Sequence, residues 1–146
     1  RQDMSMVWQA GEKNVEYLRT HHRIPANVYL RAFLTDVYAY LGNADVVISR
    51  AGASTLAEIL AFGKPSVLMP YPFATANHQE HNARVLEKAG AAWVELDGEP
   101  NQLWEKIVRL LEDRDTRHRM GQRALELSQP DAAQRIARRI LEEVDA

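Results

Sequence analysis

ADVVISRAGASTLAEILAF, residues 44–62, is the stretch that decides the fold of this chain. Asp45 to Ser49 reads as a buried strand, with Val46, Val47 and Ile48 at its centre. Gly52 supplies a turn. Ser54 to Phe62 has helical spacing, with Ser54, Thr55 and Glu58 at its start. A strand that passes through glycine into a helix leaves the first helical N–H groups without internal partners, at the positive end of the helix dipole. Such an end binds phosphate. Gly52 has no Cβ and admits a ligand close to the backbone. A second polar helix start, Asn77-His-Gln-Glu-His-Asn-Ala83, follows the next strand. Two such starts after consecutive parallel strands lie side by side at the carboxyl edge of a sheet, where open α/β sheets bind their ligands.

The flanking sequence repeats the alternation. Met6 to Gln9 reads as a strand and Glu12 to His22 as a helix, with Val15 and Leu18 inward. Asn27 to Leu34 alternates as a strand, and Thr35 or Asp36 caps a short helix ending at Gly42. Pro65 to Pro70 is a buried strand, Asn77 to Ala89 a helix stopped by Gly90, and Ala91 to Leu96 another strand. Helices follow over about 102–111, 114–128 and 130–144. Five strands alternating with helices predict an α/β fold, a Rossmann-like parallel sheet with helices on both faces. The 146 residues suffice for one domain, with residues 101–146 as its C-terminal helices.

Composition narrows the function. Hydrophobic residues make up 46% and charged residues 26%, and net charge is −2, so no excess of basic residues points to nucleic acid. Cysteine is absent, which removes disulfides and thiolate chemistry. No apolar run approaches the roughly 18 residues that span a bilayer. The chain begins Arg1-Gln2-Asp3 without an initiator methionine and reads as a fragment or processed piece.

Several residues carry two readings. Glu58 either accepts the hydroxyls of a ribose or closes a capping box with Thr55, and spacing alone favours the cap. Arg50, at a strand end, reaches a phosphate or serves as a surface or ion-paired arginine. Gln79 and Asn82 suit sugar hydroxyls, or cap their helix in solvent. His78 and His81 lie three apart, but a metal needs a third ligand and none is evident, so no metal is expected. The Pro70–Ala76 loop lacks a core pattern and is suited to wrapping a ligand.

Taken together, Asp45 to Glu58, Gly63-Lys-Pro65, Pro70, His78-Gln79, Asn82-Ala83 and Leu86-Glu-Lys-Ala-Gly-Ala-Ala92 resemble the C-terminal, donor-binding domain of the MurG family. The likeness runs from about Trp8 to the last helix. It implies a two-domain GT-B glycosyltransferase that moves N-acetylglucosamine from UDP-GlcNAc onto undecaprenyl-diphosphate-linked muramyl pentapeptide (lipid I) in peptidoglycan synthesis. It also implies a cytoplasmic enzyme peripheral to the inner face of the cell membrane, with no cofactor.

By the same resemblance, Ala51, Gly52, Ala53 and Ser54 match the loop at the nucleotide phosphates, with Arg50 beside it, and Glu58 matches the ribose carboxylate. Phe33 and Leu34 match the strand end whose backbone reads the uracil edge, and Val37 the position packed on the base. Gln79 matches a glutamine near the GlcNAc hydroxyls, with His78 and Asn82 close by. Where this chain has Ala51 the family often has serine, which removes a hydroxyl.

The resemblance further implies that the acceptor site and general base lie in an N-terminal domain, so no catalytic residue is expected here. It implies that the first, central strand of the domain is missing, leaving a gap between the strands near Met6 and Asp45. A related glycolipid synthase, a split N-acetylglucosaminyltransferase subunit, and a non-catalytic nucleotide-sugar-binding module are the alternatives.

Overall fold

A computed structural model describes residues 3–74, 77–96 and 100–144. Its elements are β1 (Met6–Gln9), α1 (Glu12–His21), β2 (Val28–Arg31), α2 (Val37–Asn43), β3 (Val47–Ser49), α3 (Ala53–Ala61), β4 (Ser66–Leu68), α4 (His78–Lys88), β5 (Trp93–Val94), α5 (Pro100–Glu112), α6 (Arg114–Leu127) and α7 (Ala132–Val144). Every strand pairing is parallel. The five strands form two sheets, β1–β2 and β3–β4–β5, rather than one ladder. The strands near Met6 and Asp45 thus belong to different sheets. The chain divides into two compact units between Tyr40 and Leu41.

In the first unit, Met6 pairs with Val28 and Gln9 with Arg31. β2 is shorter than its alternation suggests. It stops at Arg31, and Ala32, Phe33 and Leu34 lead on as loop. Asp36 caps α2, its Oδ1 accepting from the Ala39 N–H at 3.1 Å.

The second unit is built around β4. Ser66, Val67 and Leu68 are all buried, as a central parallel strand covered on both faces requires. Successive side chains point to opposite faces. Leu68 and its neighbour Val94 join Leu56 and Ile59 of α3 and Ala83 and Leu86 of α4 in one cluster. Val67 joins Ile107 and Leu110 of α5 and Met120 of α6, with Trp93 packed against them. Helices therefore cover both faces of this sheet. Glu95, buried just beyond β5, forms an ion pair with Lys106 of α5 at 2.8 Å.

The ends of the elements differ from the sequence reading in ways set by hydrogen bonds. β3 begins at Val47, whose N–H donates to the Pro65 carbonyl at 2.9 Å. α3 begins at Ala53, one residue early. α7 begins at Ala132, because the Asp131 carbonyl takes the Arg135 N–H at 2.9 Å and leaves Pro130 outside the helix. No helix among the described residues is long and apolar enough to cross a membrane.

Candidate functional site

β3 ends at Ser49, and the chain turns through Arg50, Ala51 and Gly52 into α3. Ala51 is fully buried and anchors the turn in the core. Gly52 is the N-cap, with extended backbone (φ −69, ψ 142), and no side chain caps the helix. The first helical bond is Leu56 N–H to Gly52 O at 2.9 Å. The N–H groups of Ala53, Ser54 and Thr55 meet no acceptor among the described residues. A helix start with three open donors is the arrangement that receives an anion.

Gly52 itself is explained by space rather than by backbone conformation. Its φ suits any residue, and a Cβ built there meets nothing within 4 Å. The fold does not require glycine at this position. A side chain here would stand in the open space before the helix start.

Glu58 lies one turn further along α3, half-buried. The capping box with Thr55 does not form. Because α3 starts at Ala53, Thr55 is the third helical residue and cannot be the cap. The Glu58 carboxylate has no hydrogen bond or ion pair among the described residues. A half-buried carboxylate without a protein partner is poised to accept from ligand hydroxyls.

The second helix start is tied to the first by side chains. Gln79 Oε1 accepts from the Ala51 N–H at 3.2 Å and from the Tyr71 N–H at 3.0 Å. Arg50 Nη1 donates to the carbonyls of Met69 and Pro70, each at 3.1 Å, and its guanidinium lies 5.7 Å from the Tyr71 ring centroid. Arg50 thus binds the end of β4 and the following loop through its guanidinium. Asn77, the N-cap of α4, adopts a left-handed conformation (φ 54), and its Nδ2 donates to Glu80 Oε2 at 2.8 Å. His78 and His81 are exposed, and Asn82 is half-buried. Thr75 and Ala76 of the loop lie outside the described residues.

Phe33, Leu34 and Val37 belong to the first unit. Phe33 is 71% exposed. The Leu34 N–H donates to Gln9 Oε1 at 2.9 Å. The strand expected to reach Leu34 has ended by then, so this side-chain bond replaces a ladder bond. Gln9, in the first unit, and Tyr71, in the second, make contacts that the sequence reading missed. Both act through partners distant in sequence, and no local pattern marks them.

The family model for the glycosyltransferase family 28 C-terminal domain matches residues 1–136. The chain belongs to this glycosyltransferase family. It is 40% identical over 146 residues to the UDP-N-acetylglucosamine–N-acetylmuramyl-(pentapeptide) pyrophosphoryl-undecaprenol N-acetylglucosamine transferase of Desulfitobacterium hafniense DCB-2, covering 94% of this chain and 40% of that protein. It is 42% identical to the enzyme of the same name from Sorangium cellulosum, over 96% of this chain and 36% of that protein. The family 28 chain thus spans about two fifths of the length of the curated relatives it matches. Among solved structures, MurG of Acinetobacter baumannii superposes with a TM-score of 0.80 at 28% identity, covering 93% of this chain and 40% of that one. The glycosyltransferase SnogD of Streptomyces nogalater gives 0.61 at 27% identity, over 92% and 35%. The fold is that of a GT-B C-terminal domain.

Within this family 28 domain, one run has the spacing of an Asp-x-Asp metal motif, Asp113-Arg114-Asp115, at the start of α6. Asp113 is committed to the helix. Its carboxylate accepts from the Thr116 N–H at 2.9 Å and the Thr116 hydroxyl at 2.6 Å. These bonds, the hydroxyl's first, hold its pKa below the ordinary 3.8.

Proposed function

We propose that this chain is the donor-binding half of an inverting glycosyltransferase that moves N-acetylglucosamine from UDP-GlcNAc to undecaprenyl-diphosphate-MurNAc-pentapeptide. The observation that carries the reading is the open start of α3. Gly52 leaves space, and among the described residues the N–H groups of Ala53, Ser54 and Thr55 have no acceptor and Glu58, one turn away, has no partner. The names of the relatives supply the donor and acceptor.

In this reading the diphosphate meets the α3 start and Glu58 accepts from the ribose hydroxyls. His78, Gln79 and Asn82 face the sugar. An acceptor hydroxyl, deprotonated by a base outside this chain, attacks the anomeric carbon. The bond from that carbon to the UDP oxygen breaks, and its electron pair stays on the leaving diphosphate. The α3 N–H groups stabilise the negative charge that develops there, without a metal. The acceptor is a lipid, so the whole protein works peripherally at the cytoplasmic face of the membrane.

The test is a calorimetric titration of the full-length protein with UDP, UDP-GlcNAc, UDP-glucose and UDP-galactose, with and without EDTA. Tightest binding of UDP-GlcNAc, unchanged by EDTA, is expected. Preference for UDP-glucose or UDP-galactose would instead assign a related transferase. Absence of UDP binding by the folded protein would overturn the donor reading.

A further inference from the structure

Gln79 lies in the first turn of α4, yet its side chain reaches back across the sheet edge. Its Oε1 takes two backbone donors, Ala51 N–H at 3.2 Å and Tyr71 N–H at 3.0 Å. Two N–H groups aimed at one atom fix which end of the amide is oxygen. The nitrogen Nε2 then points away, with no acceptor among the described residues. Ala51 immediately precedes Gly52, and Tyr71 opens the loop after β4. One oxygen atom therefore joins the loop after β3 to the loop after β4. Arg50 makes the same link in the opposite direction, from the end of β3 to the carbonyls of Met69 and Pro70.

The tie matters because it acts directly on the turn into α3, beside the Arg50 link and the burial of Ala51. Gly52 has no side chain, and no side chain caps the helix. Ala51 is fully buried, so its N–H has no route to water if Gln79 is lost. A buried donor without an acceptor is costly, and the loop would shift to relieve it. The N–H groups of Ala53, Ser54 and Thr55 would move with that loop. Donors arranged in advance stabilise charge only while they stay aimed.

We propose that Gln79 is a positioning residue for the diphosphate. Through the Ala51 and Tyr71 N–H groups it holds the Gly52 turn so that the α3 start stays aimed at the phosphates, in addition to any contact its Nε2 makes with the sugar. The proposal rests on the donor reading given above.

A role confined to the sugar and a positioning role separate on UDP, which carries no sugar. Gln79→Met keeps length and removes the acceptor. Gln79→Asn keeps the amide but is one methylene too short to reach both donors. Each is made in the full-length protein, checked by circular dichroism to be folded at the titration temperature, and titrated with UDP and with UDP-GlcNAc. If one variant fails to fold, the other decides. The expected result is a loss of UDP affinity of roughly tenfold, on the scale of one to two net hydrogen bonds, with UDP-GlcNAc weakened at least as much. UDP affinity within twofold of the unmodified protein, whether or not UDP-GlcNAc binding falls, would overturn the proposal. Failure of the unmodified protein to bind UDP would overturn the donor reading and this inference together.

Discussion

Gly121 of α6 and Gly63 at the end of α3 meet backbone to backbone: a Cβ placed on Gly121 would stand 2.6 Å from the Gly63 carbonyl oxygen. Gly63 has φ +59, a left-handed conformation that closes α3, and the Lys64 N–H returns to the Ile59 carbonyl at 3.1 Å. This contact lets α6 pass close to the end of α3. There Ala124 joins the cluster on one sheet face and Met120 the cluster on the other.

Gly121→Ala should therefore destabilise the protein. Alanine favours a helix by about 1 kcal/mol over glycine. The clash is with backbone, which cannot swing away, and overpacking of this kind costs about 1–3 kcal/mol. The net effect is a lower melting temperature in thermal denaturation. An unchanged or raised value would show that α6 shifts freely away from α3.

Gly52→Ala should behave in the opposite way. The added methyl meets no protein atom and the backbone angle is ordinary, so stability should hold or rise by about 0.4–1 kcal/mol. UDP binding should fall by more than tenfold, because the methyl occupies the approach to the α3 donors. Isothermal titration paired with a thermal melt reads both effects. Retained affinity would place the phosphates elsewhere.

Glu58→Gln preserves shape but removes charge. Since Glu58 caps nothing, the melting temperature should not move. Charge-assisted bonds to the ribose hydroxyls would be weakened, at a cost of about 1.5–3 kcal/mol in UDP affinity. A 2′-deoxy-UDP comparison localises the effect, since the variant should lose most of its discrimination between the two nucleotides. Loss of thermal stability with UDP binding intact would assign Glu58 to structure.

The cap of α6 gives a pH signature. Hydrogen bonds from Thr116 lower the pKa of Asp113 below 3.8 in the folded protein. A lowered folded value means that the stabilisation is fully present above the unfolded pKa. It is lost as pH falls through the folded value. Asp113→Asn keeps a neutral cap and lacks this dependence. Melting curves of the two proteins should differ at neutral pH and converge in acid below the ordinary carboxylate range. A constant difference across that range would rule out the carboxylate as its source.

Much of this protein is legible in its sequence because the deciding signals are local. Strand and helix alternate through hydrophobic spacing, and the three buried residues of β4 sit inside the stretch from Pro65 to Pro70 that reads as a buried strand. Gly52 and the polar residues after it mark a helix start at a sheet edge from chain chemistry alone. Tertiary structure decided the rest. The partition into two sheets depends on which strand finds which neighbour, and periodicity carries no information about neighbours. β2 ends before Phe33 because Gln9, 25 positions from Leu34, takes the N–H that a longer ladder would use. Glu58 is free of Thr55 because α3 starts at Ala53, a boundary set by the buried Ala51 and the open Gly52 and not by the Thr-x-x-Glu spacing. Gln79 and Arg50 became links between two loops only when the fold placed the ends of β3 and β4 side by side. Hydrogen bonds across such distances are set by packing of the backbone, and sequence spacing cannot encode them.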